Sequence, residues 1–415
     1  MAMVATGTAA AQAITMAFYP FITRIYGPES FGVLGVFMSI VSILTPIAAL
    51  SYPLAIVLPK KNSHARGLIR LSIYIAALLA ILVTFIITVF KYQIVRLLGI
   101  ESITGFLYLI PFVMFFSVIL AVLKQWLLRT KKYKITAKVA VAQSFIISSA
   151  KVGIGWFSPT AAVLIIITGL GTILESIMLF VGVKRDRKKE PSNNENNPIS
   201  LIGLAKKHKD FPFFRSPQAF INAASQGLPV LMLTAFFGPV YAGFYALGRT
   251  VMLVPTHLIG KSVGDVFYPR IAEAANTGED LTKLIKKATL ALAATSFIPF
   301  FIIIAFGPFL FGFIFGSEWI TAGEYARWLA LWLYFSLLNR PSVASIPVLA
   351  LQESYLIYEI ISVIARVGAL GLGFYHFKSD VYAIILFSLV GLFLNVGLIL
   401  WVCYKSQHAN NDKNK

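Results

Sequence analysis

Long apolar runs separated by short polar connections dominate the chain. Each run is roughly twenty residues long, the length that an α-helix needs to cross the hydrocarbon core of a membrane. Most runs lack the polar stripe that a core helix of a soluble protein would show. The pattern therefore predicts an all-α polytopic membrane protein with about twelve transmembrane helices. The predicted spans are 2–22, 31–57, 71–90, 106–123, 139–156, 161–183, 216–237, 240–260, 288–306, 328–350, 355–374 and 381–404.

Composition supports the same class. The chain is 58% hydrophobic and 13% charged, whereas soluble domains carry about 25% charged residues. The first run, 2–22, has no basic segment ahead of it, so it is interpreted as a span and not as a cleaved signal. Because no residues precede this span, we expect the natural chain to begin upstream.

The net charge of +19 reports orientation in the membrane more than the identity of a partner. Most of the 36 Lys and Arg residues fall in alternate connections, which is the positive-inside pattern. This distribution predicts that both termini are cytoplasmic, and it argues against nucleic-acid binding. Cys403 is the single cysteine, so no intramolecular disulfide forms, and no Cys/His cluster suggests a metal or another cofactor.

The chain is predicted to form two six-helix lobes related by a pseudo-twofold axis along the membrane normal. The lobes comprise residues 1–183 and 216–404, and 405–415 form a cytoplasmic tail. Between the lobes lies a cytoplasmic linker, 184–215, whose centre EPSNNENNP is polar and lacks large apolar residues.

Three features recur at matching places in the two halves, as internal repeats in transporters do. They are a Gly-Pro-x3-Gly turn (Gly27 to Gly32; Gly238 to Gly243), a Pro-basic pair (Pro59-Lys60; Pro269-Arg270) and a polar triplet at i, i+4, i+7 (Thr8, Gln12, Thr15; Gln218, Asn222, Ser225).

Several segments resemble the polysaccharide-biosynthesis flippases, the Wzx-type transporters of O-antigen and capsule repeat units. The segments are TRIYGPESFG at 23–32, SYPLAIVLPK at 51–60, KDFP at 209–212, AASQGLP at 223–229, FGP at 237–239 and AGFYAL at 242–247. The wider superfamily also contains lipid II flippases and multidrug and toxin extrusion exporters.

The resemblance implies alternating access, in which two lobes rock around a central cavity in the bacterial cytoplasmic membrane. The implied cargo is an oligosaccharide linked to undecaprenyl diphosphate, whose lipid tail stays among the membrane lipids. Other membrane proteins of polysaccharide assembly are the further partners that it implies. No enzymatic activity is implied.

Basic residues within or beside the spans are the first candidates for substrate binding. A basic side chain at the centre of a span costs about 2.5–3.5 kcal/mol on insertion scales, so such residues rarely face lipid. The alternative is ion pairing, of Glu359 with Arg366 and of Glu175 with Lys151. Arg24 could instead cap a helix end, and Arg215 could only set the topology. The candidate cavity cations are Arg249, Arg366, Arg24, Arg340, Lys151 and Arg215.

The two polar triplets are the second candidates, because their spacing places each triplet on one helix face. Amides and hydroxyls suit the hydroxyl groups of sugars, although membrane helices also use such residues simply to pack. Coupling to a proton or sodium gradient would need a carboxylate, and the candidates are Glu175, Glu359 and Asp265.

Two other functions remain open. A multidrug or cation exporter of the related branch should favour an acidic cavity, whereas the predicted spans contain more basic than acidic residues. A membrane polymerase or glycosyltransferase usually needs a sizeable external loop. The longest external connection predicted here, 307–327, holds only two acids, Glu318 and Glu324.

Overall fold

The structure, a computed structural model, describes residues 2–187 and 200–413. These residues form helices and turns, and no strand occurs among them, which confirms the all-α class. The α-helices are α1 (Ala2–Ala48), α2 (Asn62–Leu98), α3 (Leu109–Arg129), α4 (Tyr133–Phe157), α5 (Ala161–Arg187), α6 (Leu201–Lys207), α7 (Ser216–Phe237), α8 (Pro239–Thr277), α9 (Leu281–Phe315), α10 (Ile320–Leu338), α11 (Arg340–Ser345), α12 (Gln352–Phe377) and α13 (Asp380–Lys413).

Helix α1 combines the first predicted span with most of the second. It is 47 residues long and is broken by Gly27, whose φ of 67° and ψ of 171° are not helical. Since about 20 residues cross a bilayer, the two segments on either side of Gly27 supply two crossings. The second span ends earlier than predicted, at Ala48, and a 3₁₀ helix follows at Tyr52–Val57. Pro53 near the start of that segment cannot donate a backbone hydrogen bond to continue α1.

The number of crossings agrees with the prediction. Within the described residues, nine helices are long and apolar enough to cross a membrane. Helix α1 holds two crossings, and α8 and α10, with 39 and 19 residues, complete a set of about twelve.

The tenth predicted span, 328–350, differs most from the structure. Helix α10 begins earlier, at Ile320, and ends at Leu338, and the short α11 follows with Pro341 in its first turn. Proline at this position starts a new helix more readily than it continues an old one. The predicted external connection 307–327 is also much shorter, because α9 extends to Phe315.

The chain divides into two compact units, Met1–Gly243 and Phe244–Lys415. In the first unit, α1 packs against α4 and α7, with Val36 and Phe37 fully buried. In the second unit, α9, α10, α12 and α13 surround Trp319, Tyr325 and other large buried side chains, including Phe387. The centre of the predicted linker, 190–198, lies outside the described residues.

The two Gly-Pro turns contact each other within the first unit. A Cβ atom on Gly32 would overlap the carbonyl oxygen of Pro239, and one on Gly243 would overlap that of Pro28. Neither position has room for a side chain, so each requires glycine. Gly238 has φ 105° and ψ 169°, close to the conformation of Gly27, and the two turns therefore share an unusual backbone as well as a sequence pattern.

Candidate functional site: a pair of arginines among aromatic rings

Arg366, on α12, contacts two aromatic rings and a backbone carbonyl of its own helix. Its guanidinium carbon lies 5.1 Å from the ring centroid of Trp332 and 6.0 Å from that of Phe387. Its Nε atom donates a hydrogen bond of 3.1 Å to the carbonyl oxygen of Ser362, one turn earlier. Contacts with ring faces attract a cation and are stronger where water is scarce, so these rings hold the charge in place inside a membrane-spanning segment.

The rings around Arg366 come from three helices. Trp332 of α10 and Phe387 of α13 meet edge to face at 5.1 Å, and Tyr245 of α8 meets Phe387 in the same way at 6.3 Å. Tyr245 and Phe387 are almost completely buried. Edge-to-face pairs of this kind are favourable and directional, so they fix the orientation of the three rings around Arg366. We call these rings, Trp332, Phe387 and Tyr245, the aromatic wall.

Arg249 joins this cluster from α8. It lies one turn after Tyr245, and its half-buried side chain acts electrostatically on both the Tyr245 hydroxyl and Arg366. The structure thus brings together the two arginines that lie nearest the middle of their predicted spans. Two like charges close together in a medium of low dielectric repel each other, and an anion beside them would relieve that repulsion.

Glu359 lies two turns before Arg366 on α12, as the sequence indicated, and it contributes to the electrostatic surroundings of Arg366. It is half-buried and within hydrogen-bonding reach of the Tyr355 hydroxyl. Tyr358, between them in the chain, donates a hydrogen bond of 2.7 Å to the carbonyl oxygen of Leu394. Arg340 interacts electrostatically with the Tyr355 hydroxyl. It is exposed at the break between α10 and α11 and does not lie inside a continuous span as predicted.

The alternative that Glu175 pairs with Lys151 is wrong. The Glu175 carboxylate forms a 2.8 Å ion pair with the Nζ atom of Lys124 on α3. Lys124 was placed just outside the fourth predicted span, but α3 continues to Arg129 and carries Lys124 on its surface next to α5. Lys151 is half-buried on α4, and its backbone carbonyl accepts a hydrogen bond of 2.8 Å from the Tyr26 hydroxyl.

The polar triplet of α1 is used largely for packing. The hydroxyl groups of Thr15 and Ser144 of α4 lie 2.7 Å apart, and both contact the carbonyl oxygen of Ala11. Thr8 is exposed and Gln12 is partly exposed. For Thr15 the helix-packing interpretation therefore accounts for the residue.

The triplet of α7 presents more polar surface. Gln218 and Asn222 are exposed, and Ser225 is half-buried. Gln218 accepts a hydrogen bond from Arg215, which is also exposed, and Asn222 accepts one of 2.7 Å from the amide nitrogen of Gln226. Gln226 lies one turn after Asn222, so α7 carries a row of three amides, Gln218, Asn222 and Gln226.

Two candidates remain, Arg24 and Asp265. Arg24 is exposed on α1, just before the Gly27 break. The side chain of Asp265 lies outside the described residues. The described part of the chain contains no group of three or more His, Cys, Asp or Glu residues that could hold a metal ion.

Sequence reasoning missed the aromatic wall. Tyr245 and Ser362 each lie four residues before an arginine, which is a helical spacing and a usable signal. Trp332 and Phe387 lie on helices distant in the chain, and nothing in the spacing connects them to Arg366. Only the packing of α10, α12 and α13 brings them together.

Comparison with solved structures identifies the fold. A lipid II flippase, MurJ, in an inward closed conformation matches with a TM-score of 0.73 and 13% identity, covering 97% of this chain and 87% of that chain. A multidrug resistance MATE family transporter of the MOP superfamily, in an inward-facing conformation, matches with a TM-score of 0.70 and 15% identity, covering 97% and 96%. At such identities the likeness shows the fold alone.

A third similar structure is a MOP superfamily transporter from Pyrococcus furiosus, described as having a binding pocket of reverse polarity. Its TM-score is 0.55 at 14% identity, and the match covers 100% of this chain and 96% of that chain. Among curated proteins, no sequence matches the chain. A family model described as "Polysaccharide biosynthesis protein" matches residues 21–324, well over half of the chain. The chain therefore belongs to the polysaccharide biosynthesis protein family.

Proposed function

We propose that this protein is a flippase for an undecaprenyl-diphosphate-linked oligosaccharide repeat unit. It moves this cargo across the bacterial cytoplasmic membrane by alternating access, in the assembly of an O-antigen or capsule-type polysaccharide. The family match supports a role in polysaccharide biosynthesis, and the fold is one that transporters and a lipid II flippase share. The observation that carries the proposal is the arginine pair Arg249 and Arg366 inside membrane-spanning helices.

The pair suits a diphosphate for physical reasons. A guanidinium group at membrane depth is costly unless it pairs with other protein groups, faces a wet cavity or serves an anion, and such residues are by default candidates for function. Arginine donates two parallel hydrogen bonds to phosphate oxygens, which fixes orientation as well as charge. Trp332 and Phe387 position Arg366 before any ligand arrives, and this reduces the entropy lost on binding. The diphosphate of the proposed cargo is strongly anionic.

The sugar portion needs neutral polar contacts. The exposed amides of α7, Gln218 and Asn222, suit sugar hydroxyl groups better than the α1 triplet, where Thr15 is engaged by Ser144. Lys151, Arg24, Arg340 and Arg215 remain candidates for guiding the headgroup along its path. In this proposal the halves 1–183 and 216–404 move about the linker 184–215, with both termini cytoplasmic.

If transport is coupled to a proton or sodium gradient, Glu359 and Asp265 are better candidates for the coupling residue than Glu175. The charge of Glu175 is already balanced within the protein by its salt bridge with Lys124. Glu359, by contrast, lies on the same helix as Arg366 and within hydrogen-bonding reach of Tyr355. Its carboxylate contributes to the electrostatic surroundings of Arg366.

A multidrug or cation exporter is the second candidate, because the fold is also that of MATE transporters. The polarity of the cluster argues against it, since two arginines repel a cationic drug. The two functions are separable by charge reversal. Arg249→Glu should abolish glycan transport, whereas in a cation exporter it should preserve or raise the efflux of a cationic dye.

The test uses cells in which the native gene is replaced by variants of Arg249. Arg249→Ala should leave membrane abundance nearly unchanged, while glycan export falls at least tenfold and lipid-linked precursor accumulates on the cytoplasmic side. Arg249→Lys should retain partial activity, because the charge persists without the forked geometry, and Arg249→Glu should be worse than Ala. Arg185→Ala, at the exposed end of α5, is the matched control and should export normally. Normal export by an abundant Arg249→Ala protein would refute the assignment.

A further inference from the structure

The short helix α6 packs on the first unit just before the second half of the chain begins. It lies against α2, and Leu204 is buried in one cluster with Ala65 and Leu68 from the first two turns of α2. The Tyr52 hydroxyl donates a hydrogen bond of 3.3 Å to the carbonyl oxygen of Ala205. Helix α6 is therefore fixed to the first unit by both apolar and polar contacts.

The level of α6 relative to the bilayer follows from its neighbours. Helix α2 begins at Asn62 and continues as an apolar helix that is long enough to cross a membrane. Another segment of this kind, Phe211–Phe237, begins just after α6 ends at Lys207. Because α6 packs on the first turns of one crossing helix and leads into another, it lies where these helices enter the bilayer. The charge pattern predicts that this is the cytoplasmic surface.

The outward surface of this segment combines large apolar and basic side chains. Ile202 is 70% exposed, and Phe213 and Phe214 are each 71% exposed. One acid, Asp210, is also exposed. Exposed groups of large apolar side chains mark sites of interaction with membranes or proteins. Between the apolar side chains in the sequence lie three exposed lysines, Lys206, Lys207 and Lys209.

The surface of an anionic bilayer provides contacts for both kinds of side chain. The boundary between headgroups and acyl chains accepts Phe and Ile, and the headgroup phosphates attract Lys. Lysine has a long apolar stem, so its ammonium group can reach a phosphate while neighbouring rings lie deeper. Residues 200–215 contain four Lys or Arg and one acid, a charge balance that complements an anionic surface.

We propose that residues 201–214 are a surface anchor that binds the anionic lipid surface of the bilayer. Ile202, Phe213 and Phe214 insert at the acyl boundary, and the three lysines contact headgroup phosphates. Because Leu204 fixes α6 to α2, the surface anchor attaches the first unit to the membrane surface immediately before α7. The proposal uses no property of the cargo, so it goes beyond the flippase assignment and does not depend on it.

Fluorescence quenching in reconstituted vesicles tests the insertion. The full-length chain carries the fluorophore NBD on single cysteines, from Ile202→Cys, Phe213→Cys or Thr277→Cys in a Cys403→Ser background. A shallow nitroxide on the lipid should quench the probes at 202 and 213 strongly, and iodide on both sides of the bilayer should quench them weakly. Thr277 is an exposed residue at the end of α8 and should give the reverse result. Iodide quenching at 202 and 213 that equals the quenching at 277 would overturn the proposal.

The preference for anionic lipid is measured with the probe at 202. Spin-labelled phosphatidylglycerol should quench it more strongly than spin-labelled phosphatidylcholine does at the same mole fraction. A lysine near an anionic surface contributes a factor of roughly five, so Lys206→Gln/Lys207→Gln/Lys209→Gln should reduce the preference by at least that factor. Lys206→Arg/Lys207→Arg/Lys209→Arg should retain it.

The matched control is Lys283→Gln/Lys286→Gln/Lys287→Gln, which removes three exposed lysines from the start of α9. The probe at 202 should keep its lipid preference in this variant, because the net charge falls equally but the surface anchor is intact. No preference in the wild-type anchor, no change in the Lys206 series, or an equal loss in the control would each overturn the proposal. Because transport is not measured, the result is independent of the Arg249 experiment.

Discussion

The two halves of the chain share two sequence features, the Gly-Pro turn and the Pro-basic pair, but only the first has the same structure in both. At the Gly-Pro turns they are alike: Gly27 and Gly238 have similar backbone angles, and Gly32 and Gly243 each face the proline carbonyl of the other turn. At the Pro-basic corners they differ. Arg270 is neutralised by Glu279, whereas Lys60 lines a cavity with two more cations.

This contrast separates two kinds of constraint. A backbone contact with no room for a Cβ atom restricts both partners to glycine, so the sequences of the turns stay alike. A charged surface position is restricted only by what it binds. In the second unit Arg270 is paired with the acids Glu279 and Glu273, and in the first unit Lys60 lies in a lining with Arg129 and Lys132 and no described acid.

The largest expected effect concerns the side of the membrane on which the two corners lie. The charge pattern predicts that both are cytoplasmic. In a Cys403→Ser background, single cysteines at Lys132 and Thr277 should resist an impermeant thiol reagent in intact cells. Cysteines at Ser158 and Ser379 should react almost completely. Labelling at one corner but not at the other would contradict the predicted topology and end the comparison between them.

The helices themselves were largely predictable. The span 216–237 coincides with α7, and 161–183 lies within α5, because each is a continuous apolar run with clear polar ends. The break at Gly27 was signalled by the following proline, although its continuation as one long α1 was not. Apolar length decides how many crossings occur, and it says little about where one helix merges with the next.

The site was only half predictable. Arg249 and Arg366 stood out because charge is expensive in a membrane. The aromatic rings around Arg366 did not, and the alternative that paired Glu175 with Lys151 was wrong. Spacing along one helix fixes which residues share a face, but not which neighbouring helix that face meets. Lys124 was the nearer partner because α3, and not α4, presents its cation to Glu175.

A smaller effect is expected from enlarging the glycines of the paired turns. Gly32→Ala and Gly243→Ala each force a Cβ atom against a backbone oxygen that cannot rotate away. Overpacking of this kind costs about 1–3 kcal/mol, so each variant should unfold several degrees lower in a thermal scan in detergent. The two decreases should be similar, since the contacts are reciprocal.

Gly153→Ala provides the control for these two variants. A Cβ atom at this position on α4 would meet no other atom within 4 Å, and alanine is favoured over glycine inside a helix by about 0.5–1 kcal/mol. Its thermal midpoint should therefore stay the same or rise slightly. Equal midpoints for Gly32→Ala and Gly153→Ala would show that the turns are not in tight contact.

The smallest effect concerns the neutralised corner and its dependence on pH. The hydrogen bonds from Arg270 lower the pKa of Glu279 below its ordinary value of 4.5, and the Thr277 hydroxyl also donates to this carboxylate. A depressed folded-state pKa gives stability that is present above pH 4.5 and is lost as the pH falls through the folded value. Glu279→Gln should therefore lower the thermal midpoint slightly at pH 7 and flatten its decline between about pH 5 and pH 3. Because both side chains are at the surface, the change should be small and should shrink further in high salt.

The control is Glu353→Gln, which changes an exposed glutamate at the start of α12 and should keep the wild-type profile. If Glu279→Gln and wild type decline in parallel on acidification, the Arg270 contact contributes nothing, and the difference in charge between the two corners is smaller than the structure indicates.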